Sequence, residues 1–180
     1  VTQLQLEQFE KMDALYRDWN SKINVVSRKD IDELYRHHVL HSIGIAAYLK
    51  TKMPDVYDRL RGEGVYSAAL PLKILDLGTG GGFPGVPLAV MFPKAEFTLC
   101  DSIGKKIIVA TEVSKGLELG NAMLYSGLND CEVNMPLDSA AYAEMLGKLV
   151  ETSRWQKKTS EVKNNDDFVV DYVRVYDIEE

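Results

Sequence analysis

The sequence has little of what several protein classes require. It contains only two cysteines, Cys100 and Cys131, among 180 residues, and they show neither a disulfide framework nor the spacing of a metal site. We therefore expect a reducing, cytoplasmic setting. No apolar run approaches the roughly 20 residues of a membrane-spanning helix, and the polar start of the chain is unlike a signal peptide. These absences predict that the protein works without a membrane.

An excess of positive charge is also missing. Lysine and arginine number 21 against 27 aspartates and glutamates, which gives a net charge of −6 at pH 7. Such a chain does not coat nucleic acid through overall positive charge, although a local basic patch is compatible with it. Its length suits one domain with a sizeable core and a small appendage.

Histidines are few as well. His37, His38 and His41 are the only three, and His37 and His41 stand one turn apart on a predicted helix. No carboxylate or third ligand stands at a telling spacing from them. We interpret them as packing or surface residues, and we predict neither a metal site nor a catalytic side chain.

What the sequence does contain is an alternation of strands and helices. Apolar runs predict strands over residues 72–77, 96–100 and 122–125, with helices over 86–92 and 105–119 between them. This order is typical of βαβ units with a parallel sheet. We therefore predict an α/β fold.

The flanking regions differ from this alternation. Thr2 and Gln5 form a capping-box pattern before a helix with apolar residues at helical spacing. The members of this apolar face are Leu6, Phe9, Met12, Leu15, Tyr16, Trp19 and Ile23. Asp30 predicts the start of a second helix that runs to about Tyr48, and residues 53–61 read as a third. Residues 139–150 predict a helix, and 168–178 a strand. We predict a helical region over 1–62 packed on a cofactor-binding domain over 63–180, whose part 131–180 is atypical.

The glycine-rich stretch after the first strand carries the clearest functional signal. Residues 76–82 fit the pattern D-x-G-x-G-x-G, which is typical of S-adenosylmethionine-dependent methyltransferases, while residues 80–85 fit the dinucleotide pattern G-x-G-x-x-G. The dinucleotide register that starts at Gly78, directly after the strand, breaks at Phe83. Pro84 and Pro87 remove N–H donors that a pyrophosphate would use at the helix start. We favour the methyltransferase interpretation, and a dinucleotide-binding oxidoreductase is the alternative.

Acidic and polar side chains follow the strands where a nucleoside would bind. Asp101 ends the second strand and can accept hydrogen bonds from both ribose hydroxyls, although it would also suit a helix N-cap. Asn129 and Asp130 follow the third strand, where either an adenine contact or an ordinary turn is expected. Asp76 is costly to bury unpaired, so it should accept hydrogen bonds from the glycine loop or face the cofactor's amino group.

Four runs of the sequence resemble the RsmG family, also called glucose-inhibited division protein B, the 16S rRNA guanine-N7 methyltransferases of bacteria. They are residues 19–24, 37–42, 74–89 and 101–106. The most specific parts are the Gly-Phe-Pro-Gly-x-Pro-Leu-Ala and Asp-Ser-x-Gly-Lys-Lys motifs. The resemblance covers about the first 130 residues, and it implies a Rossmann-like methyltransferase fold with an N-terminal helical region.

The resemblance also implies a cofactor, a substrate and their contacts. The cofactor would be S-adenosylmethionine, and the substrate a guanine of 16S rRNA in the small ribosomal subunit. We expect a monomer. The implied cofactor-binding residues are Asp76, Gly78, Thr79, Gly80, Gly82, Phe83, Asp101, Ser102, Asn129 and Asp130. The implied contacts to RNA are Lys22, Arg28, His38, Lys105 and Lys106.

The chain departs from the family pattern after its third strand. An Arg-Ala-Glu-like segment is replaced by residues 127–130, and Tyr172 stands where the family has an arginine. Three further expected strands are missing, so the C-terminal part of the sheet is predicted to be incomplete. A catalytically impaired derivative that still binds S-adenosylmethionine or S-adenosylhomocysteine is therefore a second hypothesis.

Overall fold

Three α-helices precede an alternation of strands and helices in the computed structural model, which describes residues 1–67, 69–127 and, for backbone pairing, 173–176. These residues belong to one compact unit. Its helices are α1 (Gln3–Lys22), α2 (Leu40–Lys52), α3 (Pro54–Arg61), α4 (Gly85–Met91) and α5 (Gly104–Gly116). Its strands are β1 (Lys73–Leu77), β2 (Glu96–Asp101), β3 (Ala122–Ser126) and β4 (Val173–Tyr176). The predictions for residues 129, 130, 139–150 and 172 lie outside the described residues.

The sheet has the order β3-β2-β1-β4. β1 pairs in parallel with β2, and β2 pairs in parallel with β3, with Lys73 opposite Glu96 and Phe97 opposite Ala122. The predicted strands and their parallel arrangement are thus confirmed. Because parallel strands share one direction, the loops that follow β1, β2 and β3 lie at the same edge of the sheet. The described residues therefore have an α/β fold of the Rossmann-like type.

The edge strand β4 runs the other way. It pairs antiparallel with β1, with Lys73 opposite Tyr176 and Asp76 opposite Val173. The predicted strand over 168–178 is confirmed for these four residues, but its direction was not predicted. The antiparallel pairing covers the side of β1 that β2 leaves open, and β1 therefore lies inside the sheet.

The first helix begins as predicted and packs differently. Both bonds of the capping box are present, from Gln5 N to Thr2 Oγ1 and from Thr2 N to Gln5 Oε1. Leu6 belongs to the predicted apolar face, but its side chain is 48% exposed. Gln5 and Gln8 are buried instead, because their amides donate to carbonyls at the ends of α4 and α5, Val90 O and Leu117 O, each at 2.8 Å. These bonds satisfy helix-end carbonyls that would otherwise lack partners.

The second predicted helix is irregular at its start. Residues Ile31–Glu33 form a 3-10 turn and Leu34–Val39 a π-helical segment, after which α2 follows. Asp30 makes no side-chain cap. Its carboxylate accepts from Ser27 Oγ at 2.8 Å and lies 3.2 Å from His37 Nδ1, so local polar contacts replace the predicted cap.

The core lies between the sheet and the helices that pack on it. α1 packs against α4 and α5, and α2 packs against α3 and α4. Tyr57 meets Phe92 edge-on, with ring centroids 5.6 Å apart. The largest fully buried side chains include Met12, Tyr16, Leu34, Leu60, Leu88, Phe92, Phe97, Leu99 and Leu117. The proposed boundary between residues 62 and 63 stays a prediction.

Two further findings bear on the setting of the protein. Cys100 is buried at the end of β2 and is disulfide-bonded, which the spacing of the two cysteines did not indicate. Within the described part of the chain, no helix combines the length and apolar character needed to cross a membrane. The cytoplasmic location stays a prediction.

A prediction follows from the turn between α4 and β2. The Asn121 amide lies within 3.1 Å of three carbonyl oxygens, those of Ala89, Phe92 and Ala95. Asn121→Ala removes this donor from all three carbonyls, of which Phe92 O keeps its bond from Ala95 N, so we expect the free energy of unfolding in urea to fall by about 1–3 kcal/mol. Gln3→Ala, which removes an exposed amide, should change it by less than about 0.5 kcal/mol. Equal stability of the two variants would contradict this account.

Candidate cofactor site

Three loops meet at the carboxyl edge of the parallel strands. Gly78 N and Thr79 N, which follow β1, donate to Cys100 O at 2.8 and 2.9 Å. Gly127 N, which follows β3, donates to Asp101 O at 2.9 Å. The edge of the sheet that carries these loops is where open α/β folds bind nucleotides. We call residues 78–84 the glycine turn.

Asp76 fixes the shape of the glycine turn from inside the sheet. Its side chain is fully buried. Its Oδ2 accepts from Thr79 Oγ1 at 2.6 Å and from Gly85 N at 2.8 Å. The predicted hydrogen bonds from the glycine loop are thus confirmed, and one carboxylate joins the two ends of the turn.

Three glycines give the turn its path. Gly78, Gly80 and Gly82 have φ angles of 85°, 59° and 105°, which L-residues with side chains rarely adopt. A Cβ on Gly82 would lie 2.6 Å from Val86 Cγ2, whereas a Cβ on Gly80 would meet no atom within 4 Å. Gly82 is therefore a packing residue. Gly80 lies beside open space among the described residues.

The start of α4 offers no free N–H group to a pyrophosphate. Gly85 N donates to Asp76 Oδ2 and Val86 N donates to Gly82 O at 2.7 Å. Pro87 has no N–H, and Leu88 N donates to Pro84 O at 3.2 Å. A phosphate needs free N–H groups at a helix start, and here each of them is used or missing. The geometry favours a cofactor without a phosphate at this point.

Asp101 closes the other side of the site. Its carboxylate accepts from Gly80 N at 2.9 Å and from Ile103 N at 2.8 Å, and Lys106 Nζ lies 3.7 Å away. It does not cap α5, whose N-cap position is Ile103. Each carboxylate oxygen retains a lone pair for a further donor. Ser102 is exposed beside it.

Two residues of the N-terminal region, Tyr16 and Val25, contact the glycine turn. The sequence did not predict these contacts. Tyr16 Oη donates to Gly81 O at 3.0 Å, and burial together with the charge of Asp76 raises the pKa of this phenol far above its usual value, so it stays a donor. A Cβ on Gly81 would lie 2.8 Å from Val25 Cγ2, which shows how closely the helical region approaches. The apolar spacing of α1 includes Tyr16, but no local signal reveals its partner.

Asn20 holds the segment that carries Val25. Its Oδ1 accepts from Val25 N and Val26 N at 2.8 and 2.9 Å, and its Nδ2 donates to Val26 O at 2.9 Å. One carboxamide thus fixes the loop after α1 against the glycine turn.

Phe83 points toward the helices. Its ring stacks on Tyr16 with centroids 4.6 Å apart, and it lies 5.1 Å from the ring of His38. Burial lowers the pKa of His38, and the nearby Asp30 carboxylate opposes this shift. His38 Nε2 is buried without a hydrogen-bond partner among the described residues. A cofactor contact for Phe83 and an RNA contact for His38 stay predictions.

The other four predicted RNA contacts fall in two places. Lys22 and Arg28 line one cavity of about 480 Å³ at the end of α1. Lys105 and Lys106 lie in the first turn of α5, where Lys105 is exposed. The structure brings Lys106, but not Lys105, close to Asp101.

Comparisons with known proteins agree with this geometry. A family model described as rRNA small subunit methyltransferase G matches residues 5–169. A ribosomal RNA small subunit methyltransferase G of Christiangramia forsetii is 52% identical over 126 residues, which are 70% of this chain and 52% of the relative. Relatives of the same name from Flavobacterium psychrophilum and Porphyromonas gingivalis are 53% and 52% identical over 121 residues. Those alignments cover 67% of this chain and 50% and 47% of the relatives.

The chain thus spans about half the length of the curated relatives it matches. The names of these relatives are those of methyltransferases. They favour the methyltransferase interpretation of the glycine turn over a dinucleotide-dependent oxidoreductase.

The close packing at the end of the turn gives a prediction. A Cβ on Gly85 would lie 2.6 Å from Asp76 Oδ2 and 2.7 Å from Leu99 Cδ2. Overpacking of this kind costs about 1–3 kcal/mol, so Gly85→Ala should lower the free energy of unfolding in urea by that amount. Gly44→Ala is the control, because Gly44 lies in α2 with no atom within 4 Å of its Cβ position. It should be neutral or stabilising by up to about 1 kcal/mol, and a similar loss in both variants would disprove the role of Asp76 and Leu99.

Proposed function

The chain belongs to the rRNA small subunit methyltransferase G family, and on this premise we propose that it transfers a methyl group from S-adenosylmethionine to N7 of a guanine in 16S rRNA. The single observation that best supports a cofactor of this kind is the start of α4. Its N–H groups donate to Asp76 Oδ2 and to carbonyl oxygens of the glycine turn, so none of them is left for a phosphate. Gly80, by contrast, lies beside open space. This combination suits an amino-acid cofactor better than a pyrophosphate.

We propose the following placement of the cofactor. Gly78 and Gly80 would lie along its methionine part, and the carboxylate of Asp101 would accept from the ribose hydroxyls through its remaining lone pairs. Ser102 extends the same wall. Asn129 and Asp130, which follow the loop after β3 in the sequence, would lie near the adenine.

The proposed methyl transfer requires no catalytic side chain. S-adenosylmethionine supplies an electrophilic methyl group on a sulfonium centre. Guanine N7 has an exposed lone pair and carries no proton, so no general base is needed. The contribution of the protein is proximity and orientation, which agrees with a site made of a fixed backbone turn and the carboxylate of Asp101.

Transfer of a labelled methyl group tests this proposal. The chain is incubated with cofactor labelled in the methyl group and with small ribosomal subunits that lack the modification. We expect label in 16S rRNA, recovered as N7-methylguanosine after digestion. A full-length member of the family is the positive control. No label in the rRNA, despite heat of binding with S-adenosylhomocysteine in calorimetry, would leave a cofactor-binding chain and overturn the activity.

A substitution at Gly80 tests the placement of the cofactor. We expect Gly80→Val to abolish binding of S-adenosylhomocysteine in calorimetry, because the branched side chain enters the space beside the turn. Gly64→Val is a matched control, since Gly64 has a φ of 60° against 59° for Gly80 and also has no atom within 4 Å of its Cβ position. Both variants carry similar backbone strain. If both retain the wild-type affinity, the cofactor does not lie at Gly80.

A further inference from the structure

Tyr16 contacts the glycine turn from within the core. Its side chain is fully buried, and its Oη donates to Gly81 O at 3.0 Å. We propose that Tyr16 is a positioning residue for S-adenosylmethionine, because its hydroxyl holds the peptide group between Gly81 and Gly82 in the orientation that cofactor binding requires. The inference rests on the proposed function, and it adds a residue of α1 that sets the affinity without touching the cofactor.

The sequence alone does not fix the peptide group between Gly81 and Gly82. A rotation of this group changes ψ of Gly81 and φ of Gly82, and glycine populates both signs of φ with similar ease. In the structure, Gly82 has a φ of 105°. Because neither residue has a side chain that opposes the rotation, hydrogen bonds have to fix the peptide group.

Two hydrogen bonds hold this peptide group from opposite sides. Gly81 O accepts from Tyr16 Oη, while Gly82 N donates to Thr79 O at 2.9 Å. The carbonyl and the N–H of a trans peptide point in opposite directions, so one rotation would break both bonds. Removal of the Tyr16 hydroxyl takes the donor from a carbonyl inside the protein, which favours other orientations of the peptide group.

Tyr16 itself is held firmly. Its ring stacks on Phe83 with centroids 4.6 Å apart, and α1 packs against both α4 and α5. Burial and the charge of Asp76 raise the pKa of the phenol far above its usual value, so the hydroxyl keeps its proton. A Cβ on Gly82 would lie 3.1 Å from Tyr16 Oη, which places the hydroxyl against both residues of the peptide group. The turn is therefore set against a fixed donor.

The fixed peptide group is next to the proposed cofactor contact. Gly80, whose Cβ position faces open space, donates through its N–H to Asp101 Oδ2 at 2.9 Å. The backbone from Gly80 to Gly82 is thus held by Asp101 at its start and by Tyr16 near its end. In a variant that lacks the hydroxyl, only the molecules with the correct peptide orientation bind the cofactor, and the apparent affinity falls with their fraction.

Tyr16→Phe in the full chain tests the inference, because it removes the hydroxyl and keeps the ring that stacks on Phe83. Calorimetry gives the dissociation constant of S-adenosylhomocysteine, and methyl transfer to small ribosomal subunits gives KM and kcat. We expect the dissociation constant and the KM for S-adenosylmethionine to rise about fivefold to tenfold, the factor that one hydrogen bond is worth. The kcat at saturating cofactor should stay within about twofold, since bound cofactor selects the correct orientation.

Tyr57→Phe is the matched control. Tyr57 is also a buried tyrosine, but its ring meets Phe92. Phe92 directly follows α4, and the length of that helix, about 10 Å, separates it from the glycine turn. Loss of the Tyr57 hydroxyl should leave the dissociation constant and the KM at their wild-type values.

Hydrogen exchange of glycine amides separates positioning from a general loss of stability. In protein with isotope-labelled glycine, exchange of the Gly82 amide should be faster in Tyr16→Phe than in the wild type, while the Gly44 amide in α2 should be unaffected. Equal acceleration of both amides, an unchanged affinity of Tyr16→Phe, or no binding of S-adenosylhomocysteine by the wild type would overturn the inference. A weaker affinity of Tyr16→Phe, together with no methyl transfer by the wild type, would retain the positioning role and overturn only the proposed activity.

Discussion

The buried carboxylate of Asp76 is the constraint on which the candidate site depends. A carboxylate inside a sheet is costly unless hydrogen bonds satisfy it, and Asp76 accepts from Thr79 Oγ1 and Gly85 N. By accepting both, Asp76 draws the start and the end of the glycine turn together. The same bond occupies the first N–H group of α4. One interaction therefore sets the path of the turn and removes a phosphate donor from the helix start.

The turn is held from the opposite side by the N-terminal helices. Tyr16 donates to Gly81 O from the buried face of α1, and Val25 packs where a side chain on Gly81 would otherwise lie. Phe83 stacks on Tyr16. The helical region is thus part of the support of the site, and the loop after α1 packs against Gly81, the neighbour of Gly80.

Local patterns predicted the strands and the glycine turn. The burial of individual side chains on α1 depends on contacts with residues far away in the sequence, and local patterns did not predict it. An apolar run followed by glycines identifies β1 and its loop from neighbouring residues alone. The burial of Gln5 depends on the carbonyl of Val90, 85 positions away, and no periodicity of α1 contains that information. For the same reason the apolar face of α1 was predicted to include the exposed Leu6. Asp101 was singled out from the sequence because ligands of open α/β sheets bind at the carboxyl ends of the parallel strands.

The loop after α1 joins the helical region to the glycine turn. Asn20 accepts from Val25 N and Val26 N and donates to Val26 O, and Val25 lies where a side chain on Gly81 would be. The backbone of the turn is therefore held by the buried carboxylate of Asp76 on one side and by this loop on the other. A backbone that is fixed from two sides can orient a ligand through proximity alone, without a dedicated catalytic side chain.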